Sequence, residues 1–195
     1  MAFVSNSSVA GFLQSFNTIP MDNALEDALT PTIAGITGLD LNTAVRPRWQ
    51  PDPPVVPDRD TDWVAFGVNR TTSDNWAAVV QDDQGQASVI RLQEIEILLS
   101  WYGPNSGNLA EVFRDGLQIG QNRDLLNAGN FGIVDIGEAR RAPELFKQKF
   151  LTKYDQTLML RRRTERVYPI LTLLGYGVTL NTDPRGETPL TINFP

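Results

Sequence analysis

The sequence contains no cysteine and no histidine. Without thiols it can build no disulfide framework, no thiolate zinc site and no cysteine nucleophile. Without imidazole it loses the commonest general base, the commonest metal ligand and any Ser-His-Asp triad. Carboxylate chemistry is what these absences leave to an enzyme. No stretch approaches the roughly 18 apolar residues of a spanning helix, so a membrane span is not expected. The first residues, MAFVSNSSVAGFL, lack the positive start and apolar run of a secretory leader. The expectation is a soluble, intracellular protein, or part of a particle assembled inside a cell.

What is present is enough for one domain with a substantial core: 195 residues, 41% hydrophobic and 21% charged. Thirteen prolines and fifteen glycines imply many turns. The net charge of −6 argues against a general nucleic-acid binder. That charge is unevenly spread. From Arg140 to Tyr168 there are nine Lys or Arg against three Asp or Glu, whereas the rest of the chain holds 8 against 20. Two readings fit: pairing across a sheet within one chain, or self-association in which the basic sector of one copy meets the acidic sector of the next.

The centre of the basic sector is FLTKYDQTLMLRRRTERVYP, residues 150–169, which reads as one long β-strand. Tyr154, Gln156, Leu158, Leu160, Arg162 and Thr164 share one face; Asp155, Thr157, Met159, Arg161, Arg163 and Glu165 share the other. The run exceeds a typical strand, so a bend or bulge within it is expected. Three consecutive arginines cannot be hidden by one burial pattern. Either both faces reach water there, or the arginines meet acids in a partner strand or another subunit.

Upstream, residues 1–20 read as an N-terminal arm. Asp22 or Asn23 starts a helix to about Gly35, against which Pro31 argues. Residues 46–60, RPRWQPDPPVVPDRD, hold five prolines and form an extended linker or crossing loop, neither regular helix nor central strand. Strands follow from Asp62, at 76–81 and at 88–102. Helices are expected at 108–119, capped by Asn108, and at 121–128. A short strand covers 131–137, one helical turn 144–149, and another strand 167–180. Residues 181–195 read as a C-terminal arm around a single domain at 21–180. The pattern is an α+β fold, a mostly antiparallel sheet flanked by helices.

Nothing singles out a catalytic pair among Asp82, Asp83, Glu94, Glu96, Asp115, Asp135 and Glu138. Asp82 and Asp83 suit a hairpin turn. Glu94 and Glu96 lie on one strand face, where they are solvated or pair with Arg161–Arg163. GLQIGQNR lacks the P-loop lysine and the third glycine of a dinucleotide fingerprint. Trp49, Trp63, Trp76, Trp101 and Tyr102 are of the kind that stacks on sugars or bases, but strand positions favour the core. No catalytic, cofactor or metal residue is assigned.

Several ordered blocks carry a resemblance. They are Trp101–Asn105 (WYGPN), Arg114–Gln118 (RDGLQ), Gln121-Asn122-Arg123, Pro143-Glu144-Leu145, the strand Asp155–Arg163 and an upstream DWVAFGV. Across roughly residues 60–175 the chain resembles the neck or tail terminator proteins of tailed bacteriophages. The resemblance implies a non-enzymatic virion protein without cofactors, assembled in the host cytoplasm as a hexameric ring at the head-proximal end of the tail. It implies an end to tube growth, partners in the tail tube and head–tail connector proteins, and DNA passing through the lumen without specific binding. A ring needs unlike patches to meet, and an acidic lumen repels phosphate. Arg161, Arg162, Arg163, Glu94, Glu96, Trp101 and Tyr102 are therefore assigned to subunit or tube contacts, with surplus acids in the channel. Pairing of all three arginines inside one chain would remove the ground for their part of that assignment. Alternatives are another connector ring, a stopper or completion protein, and, from a different class, a carbohydrate-binding module or carboxylate hydrolase.

Overall fold

The computed structural model describes residues 12–19, 22–50, 52, 55–146, 148–170, 176–180 and 190–194. Its first element is helix α1, Asp22–Thr37, which keeps Pro31 inside it. Thr30, Thr32 and Thr37 donate their hydroxyls to the carbonyls of Glu26, Ala28 and Ile33 one turn back. Leu25, Leu29 and Ile33 line the buried stripe. After it, Asp40 accepts the Thr43 hydroxyl and the N–H groups of Asn42 and Thr43. Those bonds, the Thr43 hydroxyl first, hold its carboxyl below the usual range.

The strands are β1 Val45–Pro47, β2 Trp63–Ser73, β3 Ala78–Gln81 and β4 Gln86–Tyr102. Helix α2, Ser106–Gly116, a 3-10 turn at Gly120–Arg123 and helix α3, Asp124–Ala128, follow. Then come β5 Phe131–Ile136, β6 Arg140–Arg141, β7 Glu144–Phe146, β8 Lys149–Leu151, β9 Lys153–Pro169, β10 Tyr176–Leu180 and β11 Leu190–Phe194. The main sheet runs β1-β2-β4-β9-β5, with β3 on β4 and β6 on β9. The β2–β4, β5–β9 and β6–β9 pairs are antiparallel and β1–β2 is parallel. This is the α+β class with a mostly antiparallel sheet flanked by helices.

Two compact units are present. One comprises residues 19–77 and 90–165. Its core packs Leu25, Leu29 and Ile33 of α1, Leu109 and Phe113 of α2 and Leu126 of α3 against one sheet face, built from Val64, Phe66, Ile95, Ile97, Leu99, Trp101, Leu158 and Leu160. The other comprises residues 1–18, 78–89 and 166–195. Within it, Phe16 N–H donates to Val167 O at 2.8 Å, Asn17 Oδ1 accepts Val167 N–H at 2.9 Å, and β10 pairs antiparallel with β11.

Several local expectations change. The segment 144–149 is no helical turn: β7 and β8 pair antiparallel, Leu145 opposite Phe150, and Gln148 takes φ 64. Cross-strand pairing outweighs the helix-start signal of Pro143. The strand expected at 150–169 is divided, β8 ending at Leu151 and β9 starting at Lys153. Pro47 belongs to a strand after all, at the sheet edge, where a residue without an N–H is tolerated. Helix α2 begins at Ser106, with Asn105 at the cap position instead of Asn108. The Asn105 side chain makes no cap bond; its Nδ2 and its backbone N–H both donate to the Asp62 carboxylate, at 2.8 and 2.9 Å. Gly116 is the last residue of α2, and Ile36 of α1 lies where a β-carbon at this position would be. Residues 1–11 and 20 of the expected N-terminal arm, 51 and 53–54 of the expected loop at 46–60, 147 of the expected turn at 144–149, 171–175 of the expected strand at 167–180, and 181–189 and 195 of the expected C-terminal arm lie outside the described residues.

Candidate functional site

Alternation along β9 decides what the arginine run can meet. Gln156, Leu158, Leu160, Arg162 and Thr164 are buried, whereas Arg161 and Arg163 are exposed. Arg162 donates Nε–H to Gln93 Oε1 at 2.8 Å and lays its guanidinium over Phe131, 5.7 Å from the ring centre. Arg161 bonds Glu94 on β4 at 2.6 Å. Arg163 meets Glu165, two residues along its own strand, at 3.0 Å. Glu96 accepts Asn69 Nδ2–H at 2.6 Å.

All three arginines therefore have partners within the chain, and unpaired charge no longer argues for placing them at a contact. Arg162 has little surface to offer a neighbour. Arg161 and Arg163 keep about half of theirs, 53% and 56% of the side chain. Exposed ion pairs of this kind contribute about 0–1 kcal/mol, since water and salt screen them and two long side chains must be held still. A double-mutant cycle of Glu94→Gln and Arg161→Met, read by urea unfolding, is expected to return a coupling of at most about 1 kcal/mol. A larger value would make the pair a structural element of the sheet and remove it from the exchangeable surface.

Trp101 and Tyr102 lie on opposite faces of β4, and both are buried. Trp101 packs in the helix-side core against Phe113, with ring centres 5.4 Å apart, and donates Nε1–H to Gln156 Oε1 at 3.1 Å. Tyr102 stacks on Trp63, its cross-strand partner, at 4.1 Å and 6°. Arg46 lies over the Trp63 ring and Lys153 over the Tyr102 ring. Burial pushes the Tyr102 hydroxyl pKa up, against the opposing pull of Lys153. As placed, neither aromatic presents a surface to a second copy: their size and apolar character send them to the two sides of the sheet where helices and loops cover them.

The structure assembles two features that the strand pattern does not announce. On the face opposite the helices, Arg48 donates to the Ser100 hydroxyl, which donates to Asp155. Lys153 then bridges Asp155 at 3.3 Å and Glu144 at 3.7 Å. This chain crosses several strands, so only sheet register brings its members together. The second feature is a polar groove between Arg114 and Gln118 of the α2 end, Arg123 of the 3-10 turn, and Val134 and Asp135 of β5. The arginines belong to RDGLQ and QNR, blocks that stand out in the sequence as matching a family pattern, with no role attached.

Asp82 accepts the N–H groups of Gln84 and Gln86, which is turn chemistry. Among the described residues no group of three or more metal-ligating side chains gathers.

Comparison with known proteins gives one finding. The model of a family described as phage neck terminator protein matches residues 23–183. No curated protein matches the chain.

Proposed function

Because the chain belongs to the phage neck terminator proteins, we propose that it forms a ring at the head-proximal end of the tail, where it ends growth of the tail tube and joins the tail to the head connector. The family is structural and implies a place in the virion neck, in association with other neck or tail proteins. The observation that carries the reading is the extent of the match, residues 23–183, which takes in most of the chain.

The charge distribution supports a ring. A closed ring of identical copies uses heterologous contacts, in which one patch meets an unlike patch on the next copy. The basic sector at Arg140–Tyr168 and the acidic remainder supply unlike patches. Arg161 and Arg163, which are exposed, and Glu94 and Glu96, which are half-buried, carry pairs weak enough to exchange for partners across a contact. In the reading proposed here the ring has six copies, assembles in the host cytoplasm, contacts the tail tube protein and head–tail connector proteins, and turns its surplus acids toward a DNA-passing lumen. Its role is scaffolding rather than catalysis. Among the described residues no helix is long and apolar enough to cross a membrane.

Electron microscopy of particles from a phage genome with an early stop in this reading frame tests the proposal. Overlong tails, or finished tails unattached to full heads, are the expected result. Normal infectious particles would overturn it.

A further inference from the structure

Among the described residues, strands β5 and β3 each keep one edge unpaired, and the surroundings of those two edges have opposite charge. Strand β5 is the last strand of the main sheet, paired only with β9 among the described residues. Its free edge borders the groove of Arg114, Gln118 and Arg123, and Val134 is 46% exposed there. Among the described residues no ion pair engages Arg123, and Arg114 reaches Glu111 only at 3.9 Å. Asp135 lines the same groove and offsets one of the two cations. Strand β3 pairs only with β4 among the described residues, and all four of its residues are exposed. Val79 and Val80 are apolar, and Asp82 and Asp83 follow directly after Gln81.

We propose that β3 of one copy adds to the free edge of β5 in the next copy, so that the acids after β3 meet Arg114 and Arg123. The inference deepens the ring reading and rests on it.

Each part follows from elementary strand chemistry. An open edge presents unpaired N–H and C=O groups about 4.8 Å from where a further strand would lie. An uncharged, exposed Ala-Val-Val-Gln edge without proline is what native proteins ordinarily cover. The bulge between Ile133 and Asp135 limits regular pairing on β5 to a short stretch, which suits a four-residue partner. Valines on both edges supply apolar contact at the centre. The charges at the ends set direction and partner choice, because like signs brought together there would repel. The contact is heterologous, joining one edge to a different edge, so it propagates around a ring.

The absence of cysteine makes a direct test available. Val80→Cys and Val134→Cys proteins are mixed under conditions in which native mass spectrometry shows a ring, then treated with a short bis-maleimide. A covalent dimer between the two variants is expected. Val55→Cys, held beside β1 by the Arg46 bond to its carbonyl, serves as the control partner for Val80→Cys and is expected to stay unlinked. Arg123→Glu in the Val134→Cys protein is expected to cut the yield about tenfold, and Asp83→Arg in the Val80→Cys protein to restore it. A ring that forms without the Val80–Val134 link, or links equally to Val55, overturns this contact and leaves the ring standing. Failure of the full-length chain to form any ring overturns both.

Discussion

Replacing Trp101 with alanine is expected to lower the melting temperature by about 10 °C, the consequence of a loss of about 3–5 kcal/mol in a domain of this size. The indole is among the largest fully buried side chains, at 0% exposure, and lies at the sheet centre opposite Val64. Its removal leaves a cavity beneath α2, because Phe113 and Leu99 are held by their own strand and helix and cannot collapse into it. It also strands a polar group. Gln156 is 1% exposed, accepts the indole N–H with Oε1 and donates Nε2–H to Gly137 O at 3.1 Å. With the indole gone, Oε1 stays buried without its donor, and such a group costs about 1–3 kcal/mol. Trp101→Phe separates the two effects: most of the ring volume remains and the donor alone is lost, so about 1–2 kcal/mol is expected. Thermal and urea unfolding followed by circular dichroism measure both. A loss under about 1 kcal/mol for the alanine variant would show that the helix layer does not depend on this side chain.

Gly103→Ala is expected to cost about 3 kcal/mol, although it adds one methyl group. Gly103 sits at φ +106, where an L side chain is strained. A β-carbon there would lie 2.6 Å from Thr61 O and 2.7 Å from Asp62 Cα, and closer still to Asp62 Oδ1. These atoms have little freedom to yield. Asp62 is fixed by both nitrogens of Asn105, Gly103 N–H donates to Thr152 O at 3.2 Å, and the Ser106 hydroxyl donates to Gly103 O at 2.8 Å. One glycine thus joins the end of β4, the start of β2 and the entry to α2. Gly120→Ala is the matched control: nothing lies within 4 Å of the added carbon, so stability should change by less than about 1 kcal/mol. Equal effects at the two positions in a side-by-side urea titration would sink the argument from the Gly103 turn.

Much of this was readable from local pattern. The faces of β9 follow from a period of two, and the buried set Gln156, Leu158, Leu160, Arg162 and Thr164 is one of the two sets that alternation defines. The apolar face expected from spacing for α2 was Leu109, Val112, Phe113 and Leu117; Leu109, Phe113 and Leu117, the last just past the helix end, are buried, whereas Val112 is exposed. Pairing of Glu94 with the arginine run was among the readings that alternation allowed, and Arg161 takes it, but which arginine meets which partner was not readable. Arg161 meets Glu94 and Arg162 meets Gln93 because β4 and β9 lie side by side in one register, and a one-residue slip would exchange every pair. The hairpin at 144–151 escaped for a related reason. Its three-residue strands carry too few residues for a period to show, and the pairing that decides them lies outside any one of them.

The amino-acid sequence alone determined which chemistry this protein lacks, where its long strands and helices run, how the basic and acidic sectors divide, and which family it resembles. Those properties are composition and local periodicity, which the chain carries before it folds. The tertiary structure alone decided which charges neutralise one another, that Trp101 and Tyr102 turn to opposite covered faces, that Asp62 anchors Asn105 across 43 residues, and that β3 and β5 each pair on one side only among the described residues. Each of these depends on strand order and register, quantities that exist only once distant segments have met.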